Sequence, residues 1–323
     1  MIRRAEGLAG EVALVTGASR GLGLALAREL ARRSCPLVIC ARDAAELERA
    51  ARDLRGRGAD VAAVTADITD TGAPQRLIDI ALERHGRLDI LVSNAGIIQV
   101  GPAVNATPDD YEAALATMAV APMRLALAAL PVMQRQGHGR IVTITSIGGK
   151  VSVPHLGPYA TAKFAAVGFS EGLRAELGGR PVSVTTVVPG LMRTGSHLNA
   201  LFAGRKDAEF TWFSLAAGLP FLSMDAGRAA RQIANAVAAR RPEVILTPAG
   251  QVMARAAGVS PGLTAAVLHA VSQLGLPAPA GQRGVAAFGK RLHPVINAAA
   301  FDWLTRLGRR AARDLNEDTT PVP

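Results

Sequence analysis

Tyr159 and Lys163 stand four residues apart, and Ser146 lies thirteen residues upstream of the tyrosine. On a helix, positions i and i+4 share a face, so phenol and ammonium would sit side by side. A positive charge there favours the phenolate and lowers the phenol's pKa from its usual value near 10. With a hydroxyl nearby, the three groups form a set able to move a proton onto or off a carbonyl oxygen. A tyrosine and lysine at this spacing could alternatively be a plain surface contact. Ser146, closing an apolar run, favours the chemical reading.

A hydride carrier is implied by residues 16–23, Thr-Gly-Ala-Ser-Arg-Gly-Leu-Gly, which follow a short apolar run and open an amphipathic stretch. Without side chains at the glycines, backbone approaches a pyrophosphate closely and presents helix N-terminal amides to it. Gly17, Ser19, Arg20, Gly21, Leu22 and Gly23 are therefore candidate cofactor residues. Dinucleotide folds usually end their second strand on an acid that holds the adenine ribose. Here that position is Ala41, followed by Arg42. Arg42 and Arg20 suit a 2′-phosphate, and the strand-end position itself holds no acid to repel one, so NADP(H) is expected over NAD(H). Asp67 with Ile68, and Asn94, Ala95 and Gly96, follow the third and fourth apolar runs, where ligands meet parallel sheets. Each could instead be a turn or cap residue.

The elements that must position these groups follow from periodicity. Strands are expected at residues 12–16, 36–41, 61–65, 88–93, 140–145, 182–188 and 243–247. Helices are expected at 22–33, 44–57, 74–85, 108–136, 158–177 and 225–240. This alternation predicts an α/β fold, a doubly wound parallel sheet of about seven strands with helices on both faces. Pro122 predicts a kink in the long fourth helical stretch.

With 49% hydrophobic and 19% charged residues among 323, the chain is expected to bury a sizeable core. We divide it into a catalytic domain at 1–247, with a substrate lid at about 191–224, and a helical C-terminal extension at 248–323. The tail from Asn316 reads as frayed. No apolar stretch nears the roughly 20 uninterrupted residues of a bilayer-spanning helix, and no leader peptide is evident, so a soluble, cytoplasmic protein is expected. Cys35 and Cys40 lack metal or redox spacing and read as core thiols, and no metal site is expected. The net charge of +10 comes mainly from arginines spread among alanines, without interleaved aromatics. Nucleic-acid binding is therefore not expected, although such a surface attracts anionic metabolites.

Taken together, residues 16–23, Asp67, Asn94 to Gly96, Ser146, Tyr159 with Lys163, and Pro189 and Gly190 followed by Thr194 resemble the classical branch of the short-chain dehydrogenase/reductase family. The resemblance covers about residues 8–195. It implies a Rossmann sheet and hydride transfer between nicotinamide C4 and a carbonyl or carbinol carbon. It further implies Tyr159 as general acid or base, Ser146 orienting the substrate oxygen, and Lys163 on the nicotinamide ribose. Pro189, Gly190 and Thr194 would meet the carboxamide, and a homo-oligomer is the family expectation.

One position departs from the family pattern. An asparagine tied to the lysine's proton relay is replaced here by Met118, so a cofactor-binding regulatory protein with attenuated catalysis remains a second reading. The lid's large apolar residues, among them Leu198, Phe202, Phe210, Trp212, Phe213, Phe221 and Leu222, imply a bulky apolar carbonyl or alcohol. They could instead only pack the extension onto the core. His155 and His197 read as loop or surface residues. The extension itself fits a helical cap, a subunit interface or, least favoured, a membrane-surface contact.

Overall fold

Short apolar and β-branched runs become strands covered on both faces. They are β1 (Ala13–Thr16), β2 (Leu37–Ala41), β3 (Val61–Thr65), β4 (Ile90–Ser93), β5 (Gly139–Ile144), β6 (Val182–Val188) and β7 (Glu243–Ile245). The computed structural model describes residues 7–178, 181–219, 223–280, 286–292 and 299–317, apart from the side chains of 299–304. All seven strands pair in parallel, in the order β7-β6-β5-β4-β1-β2-β3. Chain direction across the sheet reverses between β1 and β4, so the loops leaving their C-terminal ends diverge and open a crevice. This is the Rossmann-like sheet the sequence predicts.

Helices α1 (Gly21–Arg32), α2 (Ala44–Gly56), α3 (Ala73–His85), α4 (Pro108–Leu115), α5 (Ala121–Arg135) and α6 (Gly157–Glu176) alternate with the strands. Alternate residues of β1 and β2 divide between two cores. Val15 and Ile39 join Leu26 and Leu47 on one side; Leu14 and Val38 join Leu77 and Leu125 on the other. The kink expected from Pro122 takes the form of a π-turn at Ala116–Val120, between α4 and α5. Proline has no N–H to donate, so one carbonyl of the preceding turn loses its helical partner.

The run Pro108–Arg135 is 28 residues long and passes for a membrane-crossing helix by length and composition, although Arg124 interrupts its apolar residues. Here it packs in the core against α3 and α6.

Beyond β6 come α7 (Ser196–Asn199), α8 (Lys206–Gly218) and α9 (Ala226–Ala238), with Asp225 capping α9 through the Arg228 amide. After β7 follow α10 (Pro248–Val259), α11 (Pro261–Gly275), α12 (Gly289–Leu292) and α13 (Ala299–Asp314). The C-terminal region is thus helical. Helix α13 turns back across the lid and packs on α8. Cys35 and Cys40 are both buried, and burial pushes each thiol up to about 12, which makes them inert.

Candidate active site

Ser146 ends the segment after β5 and caps a short 3-10 turn, accepting from the Gly148 amide at 3.1 Å. Tyr159 lies in the first turn of α6, and Lys163 one turn later on the same face. That face packs closely on the turn: a Cβ at Gly149 would stand 2.6 Å from the Lys163 carbonyl oxygen. The packing brings the three groups together.

Burial raises the Tyr159 pKa, and its hydrogen bond with Ser146 only partly offsets that. Lys163 donates to the Ile144 carbonyl at 2.8 Å, and burial lowers its pKa from 10.5 to about 8. Its Nζ lies 5.7 Å from the Tyr159 ring centroid. The expected lowering of the phenol's pKa by Lys163 is therefore not what this arrangement gives. Desolvation dominates, and Tyr159 stands as a neutral proton donor.

The glycine loop joins β1 to α1. Gly17 has φ +64°, and a Cβ there would lie 2.7 Å from the Ala95 Cα; one at Gly23 would meet the Gly17 carbonyl oxygen at 2.1 Å. These two glycines fit the loop against the end of β4. Asn94 completes that junction, donating to the Thr16 and Gly17 carbonyls at 3.0 and 3.1 Å. Asn94 thus fixes the loop through its side chain. Gly21, at φ +58°, instead faces the crevice.

A single cavity of about 750 Å³ is lined by Ser146, Tyr159 and Lys163, and by Gly17, Ser19, Arg20, Gly21, Leu22, Gly23, Arg42, Asp67, Ile68, Asn94, Ala95, Gly96, Pro189, Gly190 and Thr194. Every sequence-derived candidate therefore reaches one space. Three sequence expectations change there. Arg20 is held by Glu46, with Nη1 2.8 Å from each carboxylate oxygen, and Arg42 Nη1 lies 3.8 Å from Asp67. Acids do stand at the adenosine end; Glu46, one helical turn past Arg42, went unread because its direction depends on how α2 docks. Asp67 accepts from Thr69; burial raises its pKa, but the Thr69 bonds and Arg42 outweigh this and lower it.

His155 keeps the loop position expected of it, in a turn, and His197 is the second change. The His155 side chain is 8% exposed, with Nδ1 2.8 Å from the fully buried Glu209, which also accepts from Trp212 at 2.7 Å. His197 is buried as well, and neither histidine lines the cavity. The lid, third, divides its apolar residues. Trp212 and Phe213 line the cavity with Val153, Leu156 and Met253, whereas Phe202 and Phe210 do not reach it and pack edge to face in the same cluster as Phe213. Phe221 and Leu222 lie outside the described residues. Met118 is 2% exposed and packs with Ala114 and Ala162.

A doubly wound sheet with a glycine loop at its switch point, and a Ser-Tyr-Lys set on the wall of the same cavity, defines a dinucleotide-dependent class of protein. The short chain dehydrogenase family matches residues 11–201, and the chain belongs to that family. It is 37% identical over 204 residues to a "Dehydrogenase/reductase SDR family protein 7-like" of Anopheles gambiae, covering 62% of this chain and 64% of that protein, under two thirds of its length. Among solved structures, an actinorhodin polyketide ketoreductase with NADPH is 28% identical at a TM-score of 0.65, covering 73% of this chain and 95% of that one. A short chain dehydrogenase/reductase from Burkholderia phymatum in complex with NAD has a TM-score of 0.73 at 24% identity, covering 86% and 100%, and shares the fold.

Proposed function

We propose that this protein is an NADP(H)-dependent oxidoreductase that interconverts a bulky apolar carbonyl compound and its secondary alcohol. The observation that carries this reading is the half-buried Tyr159 phenol beside Ser146 and Lys163, facing the cavity that the glycine loop also lines. The residues present fit a nicotinamide dinucleotide: Gly21 opens the loop toward the cavity, and Arg20 and Arg42 supply charge at its adenosine end. Bound there, the dinucleotide would supply or accept the hydride.

In reduction, the Tyr159 Oη proton passes to the carbonyl oxygen; in oxidation it is taken back from the carbinol. Ser146 orients that oxygen through its hydroxyl. Lys163 holds the ribose, and Pro189, Gly190 and Thr194 meet the carboxamide. Asn94 acts indirectly, by fixing the loop. The wall of Val153, Leu156, Trp212, Phe213 and Met253 selects an apolar substrate. A small-molecule substrate, a cytoplasmic homo-oligomer and no nucleic-acid partner complete the reading.

NADP(H) preference rests on Arg20 and Arg42, with the 2′-phosphate replacing the Glu46 carboxylate on Arg20. Replenishing the proton on Tyr159 uses an acceptor other than an asparagine at 118. The π-turn carbonyl freed by Pro122 belongs to the stretch whose Thr117 and Met118 line the same cavity. Should that relay fail, the second reading holds: a cofactor-binding protein with attenuated chemistry.

NADPH oxidation across a panel of apolar ketones and aldehydes tests the assignment. Tyr159→Phe is expected to lower kcat by about 10²- to 10⁴-fold with NADPH binding retained. Equal rates in both proteins overturn the catalytic role. Arg42→Ala is expected to raise the KM for NADPH and leave that for NADH unchanged; equal effects on both overturn the NADP(H) preference.

A further inference from the structure

The chain's own C-terminal segment stands where the dinucleotide phosphates would approach the glycine loop. Helix α13 ends at Asp314, and the next three residues cross the N-terminus of α1. The Gly21 N–H, first amide of that helix, donates to the Leu315 carbonyl at 2.9 Å. Asn316, at φ +59°, donates to the Ser19 and Glu46 carbonyls at 2.8 and 3.1 Å and accepts from Arg49 at 3.0 Å.

The Glu317 carboxylate lies deeper. Its side chain is 5% exposed and lines the cavity; Asn199 donates to it at 2.6 Å, and Arg20 Nε lies 3.6 Å away. A Cβ on Gly21 would come within 2.6 Å of Glu317 Oε1 and 3.8 Å of the Thr194 Cβ. The carboxylate therefore fills the space between the glycine loop and Thr194, two of the stations assigned above to a dinucleotide. Gly195 makes room for this arrangement: a Cβ there would meet the Ala312 Cβ at 2.4 Å.

A buried carboxyl group on the first turn of α1, 3.6 Å from Arg20 Nε, occupies the features that suit a phosphate. We propose that residues 315–317 form a strap that competes with the dinucleotide for the glycine loop, so that cofactor entry requires the strap to leave. The inference rests on the dinucleotide reading above. With the strap in place, Gly21 gives its amide to Leu315, Arg20 is shared between Glu46 and Glu317, and Glu317 excludes a phosphate by volume. Apparent cofactor affinity is then the intrinsic affinity reduced by the fraction of chains whose strap is open.

The test uses the full chain, a truncation ending at Asp314, and Glu317→Ala. Binding of NADPH and of NADH is followed by dihydronicotinamide fluorescence, and amide hydrogen exchange is followed by mass spectrometry in the full chain. The truncation is expected to bind both dinucleotides about tenfold more tightly or better, with Glu317→Ala shifted the same way. Either dinucleotide is expected to speed exchange in peptides spanning 311–317. Unchanged or weaker binding in both variants, or protection of 311–317 by the dinucleotide, overturns the strap and leaves the cofactor reading standing. Absence of NADPH and NADH binding in all three proteins overturns the cofactor reading, and the competition with it.

Discussion

Lys163 places a titratable ammonium in a buried position at the cavity wall, and replacing it should separate stability from chemistry. Burial lowers its pKa from 10.5 to about 8. At roughly 1.4 kcal/mol per pH unit, keeping the charge costs the folded state about 3 kcal/mol at neutral pH. Lys163→Met removes that cost. It also removes the 2.8 Å bond to the Ile144 carbonyl, and leaving that acceptor unpaired costs about 1–3 kcal/mol. The cofactor-free Met variant should therefore match the parent at pH 7 or exceed it by up to about 2 kcal/mol.

The pH dependence is the sharper signature. A lysine whose folded pKa is depressed carries its full cost below pH 8, and the cost disappears as pH rises toward 10.5. The parent should thus gain about 2 kcal/mol relative to the variant between pH 7 and 10. Urea unfolding followed by circular dichroism at those two pH values measures the difference. A variant-minus-parent difference that stays flat with pH would refute the buried-ammonium argument, whatever happens to activity.

Two further outcomes follow from close contacts. Gly149→Ala puts a Cβ 2.6 Å from the backbone oxygen of Lys163 and 2.9 Å from Val167 Cγ2. Because backbone must shift, thermal or urea melts should show a loss of about 1–3 kcal/mol, and kcat should fall as Ser146 and Tyr159 separate; unaltered stability and rate would mean the 3-10 turn does not set their spacing. Glu317 has its pKa raised from 4.5 to about 7, chiefly by burial and against the pull of Arg20 and Asn199, with Glu46 adding to the rise. A raised carboxyl pKa favours the docked strap at acid pH, so NADH affinity should increase by up to about tenfold per pH unit between pH 5 and 7 and level off above. Glu317→Gln should abolish that slope, and an identical slope in both proteins would assign it to another group.

The legibility of this molecule follows the range of the interactions that build it. Alternating apolar runs and amphipathic stretches are local, and they placed β3 and β6 at their observed bounds and every other sheet strand within two residues. Motif spacing likewise gathered Ser146, Tyr159, Lys163 and the loop residues into one cavity, because each sits at the C-terminal end of a strand or the first turns of a helix. Electrostatics was less legible. Lys163 was read as tuning the phenol, but the pKa of Tyr159 depends on how completely α6 buries it, which no pentapeptide encodes.

The sequence by itself determined the sheet, its switch point and the residue types brought to that point, since these depend on period, glycine placement and strand ends. Tertiary structure alone decided what faces those residues. Glu46 turns onto Arg20, His197 is drawn into the core, and Glu317, nearly the whole length of the chain away in sequence, lies against Gly21. A residue that reads as part of a frayed end is held there by Asn199 and Arg20, while the first amide of α1 holds the neighbouring Leu315, partners supplied by distant segments whose meeting depends on packing rather than on any local pattern.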